Sequence, residues 1–253
     1  MNATWISLVA FGCTFVAALA AIFIRDRLPA HHLKGDSQEF LKLMLGLIAT
    51  ITALVLGLLI SSAHSAFDSQ QVEVQKLSVD YYQMDRIFVG FGADASDERT
   101  LLHSIVAADI ERIWTKDTSV AAKYAPLSAQ REAERLFEGV ASLPTKTDLA
   151  RFAQGRLLEL LVSSAETRRL MVEQSRGSLS RPFLVVLISW LAVLFFGFGL
   201  FTRINATVIV ALVVGSLSVA GAIFLILEMN QPYGGWMQVS SAPLREALAQ
   251  MSR

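Results

Sequence analysis

The chain has 253 residues, of which 53% are hydrophobic and only 17% charged, with zero net charge. Soluble domains run nearer ~45–50% apolar and ~25% charged, and no basic patch stands out that would suit nucleic acid. The one cysteine, Cys13, excludes an intrachain disulfide and a cysteine-built zinc site.

The first predicted element is an apolar run from Trp5 to Ile24 that carries no charge and stops at Arg25-Asp26-Arg27. Roughly 20 such residues cross a bilayer as a helix. Basic residues ahead of the run, which a signal peptide would carry, are missing. The second span is expected from about Leu43 to Ser62, the third from Pro182 to Thr202 and the fourth from Ala206 to Leu227. Pro182 suits a first helical turn, where its missing N–H is not needed. Only Arg203-Ile204-Asn205 separates the third span from the fourth, so these form a tight hairpin. None of the four holds an Asp, Glu, Lys or Arg inside it, which argues against an ion-coupled carrier or proton pump. The first and third read as ordinary lipid-facing helices.

The second span carries the sharpest pattern. Ala49, Ala53, Gly57, Ser61 and Ser65 recur every four residues. Small residues at this spacing make either a close-packing seam or a pore wall. Leu54, Leu58 and Phe67, assigned to the opposite face, are large enough to form a constriction. The helix is expected to run on past His64 towards Asp85, because no breaker intervenes. The fourth span shows a shorter seam of Ala211, Gly215, Ser218 and Ala222, read as packing.

Residues 63–181 hold 32 of the chain's 44 charges. They read as a helical segment without strands. Leu102, Val106, Ile110 and Ile113 recur at helical spacing. A helix is predicted over Asp148–Arg176, with Leu157, Leu158 and Leu161 on its apolar side and Thr145 or Thr147 as its cap. His103 is expected to be exposed. The domain order is therefore a first hairpin (1–62), a charged helical segment (63–181), a second hairpin (182–227) and a carboxy-terminal turn and tail (228–253). The fold class is all-α: four transmembrane helices with a helical bundle between spans two and three.

The chain after the fourth span reads Glu228-Met229-Asn230-Gln231-Pro232-Tyr233-Gly234-Gly235-Trp236. Pro232 stops the helix and the glycines permit a sharp turn. The turn is either a stop flanked by aromatic anchors or a structured site, where Glu228 and Asn230 bind a cation or a neighbouring subunit. His31-His32, near Asp36 and Glu39, reads as a solvated loop rather than a metal site. His64 reads as an interface histidine satisfied by water. Asn2-Ala3-Thr4 and Asn205-Ala206-Thr207 match the glycosylation sequon by a pattern short enough to arise by chance. Phosphate-binding loops, nucleophile elbows and His-Glu-x-x-His helices are absent, so neither an enzyme nor a cofactor is expected.

Four spans place both termini and the charged segment on one side. Arg25, Arg27, Lys34 and Arg203 in the short loops oppose Lys76, Arg168, Arg169, Arg176, Arg181 and Arg245 on the other side. The positive-inside rule therefore leaves the orientation open.

The runs GLIATITALVLG (46–57) and FDSQQVE (67–73) resemble the bacterial bestrophin-like membrane proteins. So do Arg99 to Leu102, Glu111 to Trp114, Phe198 to Phe201 with Asn205, and Glu228 to Gly235 followed by Pro243 to Leu248. The resemblance covers nearly the whole chain. It implies a multi-pass protein of the bacterial inner membrane, with termini and charged segment in the cytosol. Through a more distant tie to true bestrophins it implies a pentamer, chloride or another anion as the conducted species, and a pore lined by the second span. Pro232-Tyr233-Gly234 resembles the bestrophin turn after the last span. Calcium gating is not implied: Gly235 to Gln238 stand where calcium-gated bestrophins carry an acidic run, and Asn230 replaces an expected acid. The bestrophin aromatic constriction is not evident along the second span.

Overall fold

The computed structural model describes residues 3–25, 27, 36–114, 118–176 and 181–252; of 36–37, 118–129, 175–176 and 181 it describes the backbone only. The described residues contain helices and no strand. In order these are α1 (Ala3–Arg25), α2 (Asp36–Phe91), a 3₁₀ turn (Gly92–Ala95), α3 (Ser96–Trp114), α4 (Thr118–Ser142), α5 (Asp148–Arg176), α6 (Arg181–Leu200), α7 (Ala206–Met229) and α8 (Ala242–Met251). Among the described residues four helices are long and apolar enough to cross a membrane, and they lie where the apolar runs predict. α2 does continue past His64, for 56 residues in all. It ends where Gly92, at φ +66°, adopts a conformation that side chains resist.

The chain divides into two compact units, Met1–Ala66 with Ser178–Gln231, and Phe67–Gly177 with Pro232–Arg253.

In the first unit, α1 packs on α6 and α7. The packing face of α1 is made of small residues: Ala3, Ser7, Ala10, Thr14, Ala18 and Ala21 are all buried. Ser7 and Thr14 donate their hydroxyls to carbonyls of their own helix, to Ala3 at 2.9 Å and to Ala10 at 3.0 Å. Neither hydroxyl on this face of α1 is thereby left bare in an apolar setting. α6 comes so close that a Cβ added at Gly199 would lie 2.3 Å from the Ala18 carbonyl oxygen. The reading of spans one and three as ordinary lipid-facing helices is therefore corrected: they form the tightest seam of the unit. Small side chains that look featureless in an apolar run are what allow the approach. On α7 the buried stripe is Leu212, Ser216, Ala220 and Ile223. Ala211 and Ser218 of the expected seam are exposed. Asn205 caps α7 by accepting from the Val208 N–H at 2.8 Å.

In the second unit, one apolar core joins α2, α3, α4, α5 and α8. α2 supplies Val74, Leu77, Tyr81, Met84 and Phe88, all at most 1% exposed and spaced three or four residues apart. Leu102 and Val106 of α3 and Leu157 and Leu161 of α5 meet them, as their periodicity predicts. The α5 cap is Thr147, whose Oγ1 accepts from the Ala150 N–H at 3.1 Å.

Candidate functional site

The membrane half of α2 is the first candidate. In its most apolar 18-residue window 6% of residues are buried, against 33% in α1, 39% in α6 and 22% in α7. The covered side is narrow. Thr52 and Ala63 are buried, Val55, Leu56 and Leu59 are half-buried against the α1–α6–α7 core, and Leu45 reaches Gly197. Most of the rest is open. Ala53, Gly57, Ser61 and Ser65 are exposed, Ala49 is half-buried, and Leu54 and Leu58 are each 63% exposed. A Cβ added at Gly57 meets nothing within 4 Å.

This corrects the assignment of the small residues and the leucines to opposite faces. At about 100° per residue, Leu54 stands only about a quarter-turn from Ala53, and Leu58 likewise from Gly57. Both sets belong to one uncovered arc, centred near Ser61. Phe67 is separate and packs against the core of the second unit. The arc carries hydroxyls, a glycine and branched apolar groups, but no ionisable side chain between Leu43 and Ser62.

The turn after the last span is the second candidate, and each unit holds one part of it. In the first unit Glu228 is 3% exposed, at the end of α7. Asn230 turns its amide nitrogen back on its own helix, donating to the Ile226 carbonyl at 2.7 Å. Among the described residues no group of three or more His, Cys, Asp or Glu could hold a metal ion. His31 and His32 lie outside those residues, and His64 is exposed.

In the second unit Pro232 to Val239 form a closed loop, with the Val239 N–H donating to the Pro232 carbonyl at 2.8 Å. Gly235, at φ +84°, makes the reversal possible. Tyr233 meets the Trp114 ring edge-on at 5.7 Å, and Trp114 Nε1 donates to the Val239 carbonyl at 2.7 Å. The Tyr233 hydroxyl donates to Gln70 Oε1. Burial pushes that phenol well above its ordinary value, with the Glu73 charge adding to the effect. Tyr233 is thus an internal strut rather than a membrane-interface anchor. Trp236 is the exposed aromatic of the loop, at 87%.

Two buried charge clusters in the second unit escape sequence reading. Asp109 is 5% exposed and accepts from Tyr81 at 2.6 Å and from Arg168 at 3.4 Å. Burial, then the Asp109 charge, raise Tyr81 well above the ordinary phenol value. Asp85, 1% exposed, accepts from Arg99 Nε at 2.6 Å and lies 2.9 Å from His103 Nε2. His103 is therefore half-buried and paired, not an exposed helix residue. Arg99 also donates to the Met251 carbonyl at 2.6 Å, tying down the end of α8. His103 stands seven residues before Ile110, at the edge of the α3 apolar stripe, and that edge position was the one local signal.

Comparison with known proteins places this architecture. The Bestrophin-like domain family matches residues 12–244. A crystal structure of a point variant of a bacterial bestrophin homologue from Klebsiella pneumoniae is similar at a TM-score of 0.72 and 12% identity, covering 98% of this chain and 99% of the other. A second structure of the homologue from that organism, solved by Zn-SAD phasing, gives 0.62 and 14%, covering 97% and 96%. A point variant of a protein described only as a membrane protein gives 0.69 and 13%, covering 97% and 96%. No curated protein sequence matches the chain.

Proposed function

The chain belongs to the bestrophin-like family, and on that premise we propose that it is a self-associating anion channel of the bacterial inner membrane, with α2 lining the pore. The observation that carries this reading is the uncovered arc of α2. A protomer that packs its first, third and fourth spans and leaves the second open on most of its circumference has a surface reserved for something else. Lipid alone would not call for Ala53, Gly57, Ser61 and Ser65 at four-residue spacing. A ring of copies, five on the family pattern, turns part of the arc towards neighbours and part towards an axis. Along the axis, hydroxyls such as Ser61 hydrogen-bond an anion, and Leu54 and Leu58 narrow the path and exclude water when closed. No fixed charge binds the ion tightly, so it enters and leaves. Catalysis has no place in this reading. Termini and charged segment lie in the cytosol.

The test is chloride efflux from liposomes containing the purified oligomer. Efflux that scales with the amount of oligomer supports the proposal; tight vesicles with the oligomer verified in them overturn it.

A second reading, a non-conducting scaffold or sensor, is supported by one surface. Leu149 and Phe152, near the start of α5, are 76% and 75% exposed, as a docking face for a partner would be. Capture of a partner that Leu149→Ser with Phe152→Ser abolishes, from a protein that leaves vesicles tight, would favour it.

A further inference from the structure

Within the second unit four side chains form a directed relay. The Tyr233 hydroxyl donates to Gln70 Oε1, Gln70 Nε2 donates to Gln174 Oε1 at 2.5 Å, and Gln174 Nε2 donates to Glu73 Oε1 at 2.7 Å. Every donor points towards Glu73. There the relay stops, and the second carboxyl oxygen, Oε2, is enclosed without a hydrogen-bond partner. An ionised carboxylate that buries one oxygen without a donor loses hydration it does not recover. A protonated one loses far less. The relay is also the attachment of the Pro232–Val239 loop to α2 and α5 that includes an ionisable carboxyl group; the Trp114 contacts do not.

We infer that Glu73 and the amide relay to Tyr233 form a proton-responsive latch, which holds the Pro232–Val239 loop to α2 and α5 while Glu73 is protonated and loosens as it ionises. The groups acting on Glu73 fit this. Burial raises its pKa from the ordinary 4.5, and this outweighs the Gln174 hydrogen bond and the attraction of Lys76 on its own helix, which both lower it. α5 brings the neutral Gln174, and the loop brings Tyr233, whose own raised pKa keeps it uncharged. The sign follows by linkage. The latched state binds the proton more tightly than the open state, so the latch is firmest below 4.5 and weakens as pH rises through the raised pKa.

The experiment is hydrogen–deuterium exchange of the 232–241 segment in the full-length protein, from below pH 4.5 to about pH 8. Wild type is divided by Glu73→Gln at each pH, which cancels the intrinsic pH dependence of exchange. Glu73→Gln keeps the shape and mimics the protonated acid. The ratio is expected near one at the acid end and at least about threefold at the alkaline end. The Glu73 carboxyl band, followed by infrared difference spectroscopy, should titrate at the same midpoint, above 4.5. Tyr233→Phe should free the loop at every pH and return the Glu73 midpoint towards 4.5, because coupling between the two ends is reciprocal. A flat ratio overturns the latch. If Glu73→Gln fails to fold, a Glu73 midpoint in Tyr233→Phe equal to that of wild type overturns it.

Discussion

α2 is one unbroken helix whose two halves invert the usual relation between hydropathy and burial. Its first half is almost wholly apolar and almost wholly uncovered within the protomer. Its second half is rich in Gln, Asp and Ser, yet it buries a full stripe from Val74 to Phe88. The difference lies in the solvent each half is built for. In water, apolar side chains are best hidden, so the charged half gathers its largest ones on one covered face and turns its charged groups mostly to the other, where Val72, Val79 and Val89 are also exposed. In a bilayer, apolar surface costs nothing, and helices associate through shape and small residues instead. An open apolar arc is then no defect, and it becomes informative only through its pattern of Ala, Gly and Ser.

Substitutions in the two halves should therefore differ in cost. Phe88→Ala removes a side chain 1% exposed at the end of the charged half and should cost about 3–5 kcal/mol in denaturant unfolding. Asp109→Ala strips the partner from Arg168 and from the Tyr81 hydroxyl. Leaving a buried charge uncompensated should cost about 3 kcal/mol by the same measurement. Gly199→Leu drives a side chain into the α1 backbone at Ala18 and should cost about 1–3 kcal/mol. Gly57→Leu, where nothing lies within 4 Å, should leave the protomer's unfolding unchanged but lower oligomer yield in size-exclusion chromatography. Leu54→Ala should also be mild, under about 0.5 kcal/mol, because its side chain is already exposed in the protomer. If Leu54→Ala destabilised the protomer as much as Phe88→Ala does, the contrast between the two halves would be wrong.

The apolar spans were legible because about 20 uncharged apolar residues have few other uses. The bounds of α5 were legible because Pro144 and Thr147 punctuate its start. The continuation of α2 followed from the lack of any Gly or Pro between His64 and Asp85. The α1 seam was not legible, since hydropathy does not distinguish an alanine facing lipid from one facing a helix. The pairs Tyr81–Asp109 and Arg99–Met251 were invisible for another reason. Their partners lie 28 and 152 residues apart, and no local pattern encodes such a meeting. The four-residue spacing of small residues on α2 is visible in the sequence as a pattern. Their place on one uncovered arc with Leu54 and Leu58 needed the helix turned in three dimensions.

The proposed function requires the open arc of α2 to face an aqueous path in the assembled protein. Thiol accessibility at Ser61 tests it most directly, in a Cys13→Ala background so that Ser61→Cys supplies the one reactive thiol. A charged, membrane-impermeant thiol reagent should modify Ser61→Cys in the reconstituted oligomer and block chloride efflux. Modification by a lipid-soluble reagent alone, with efflux unchanged, would place the arc against lipid and contradict the account.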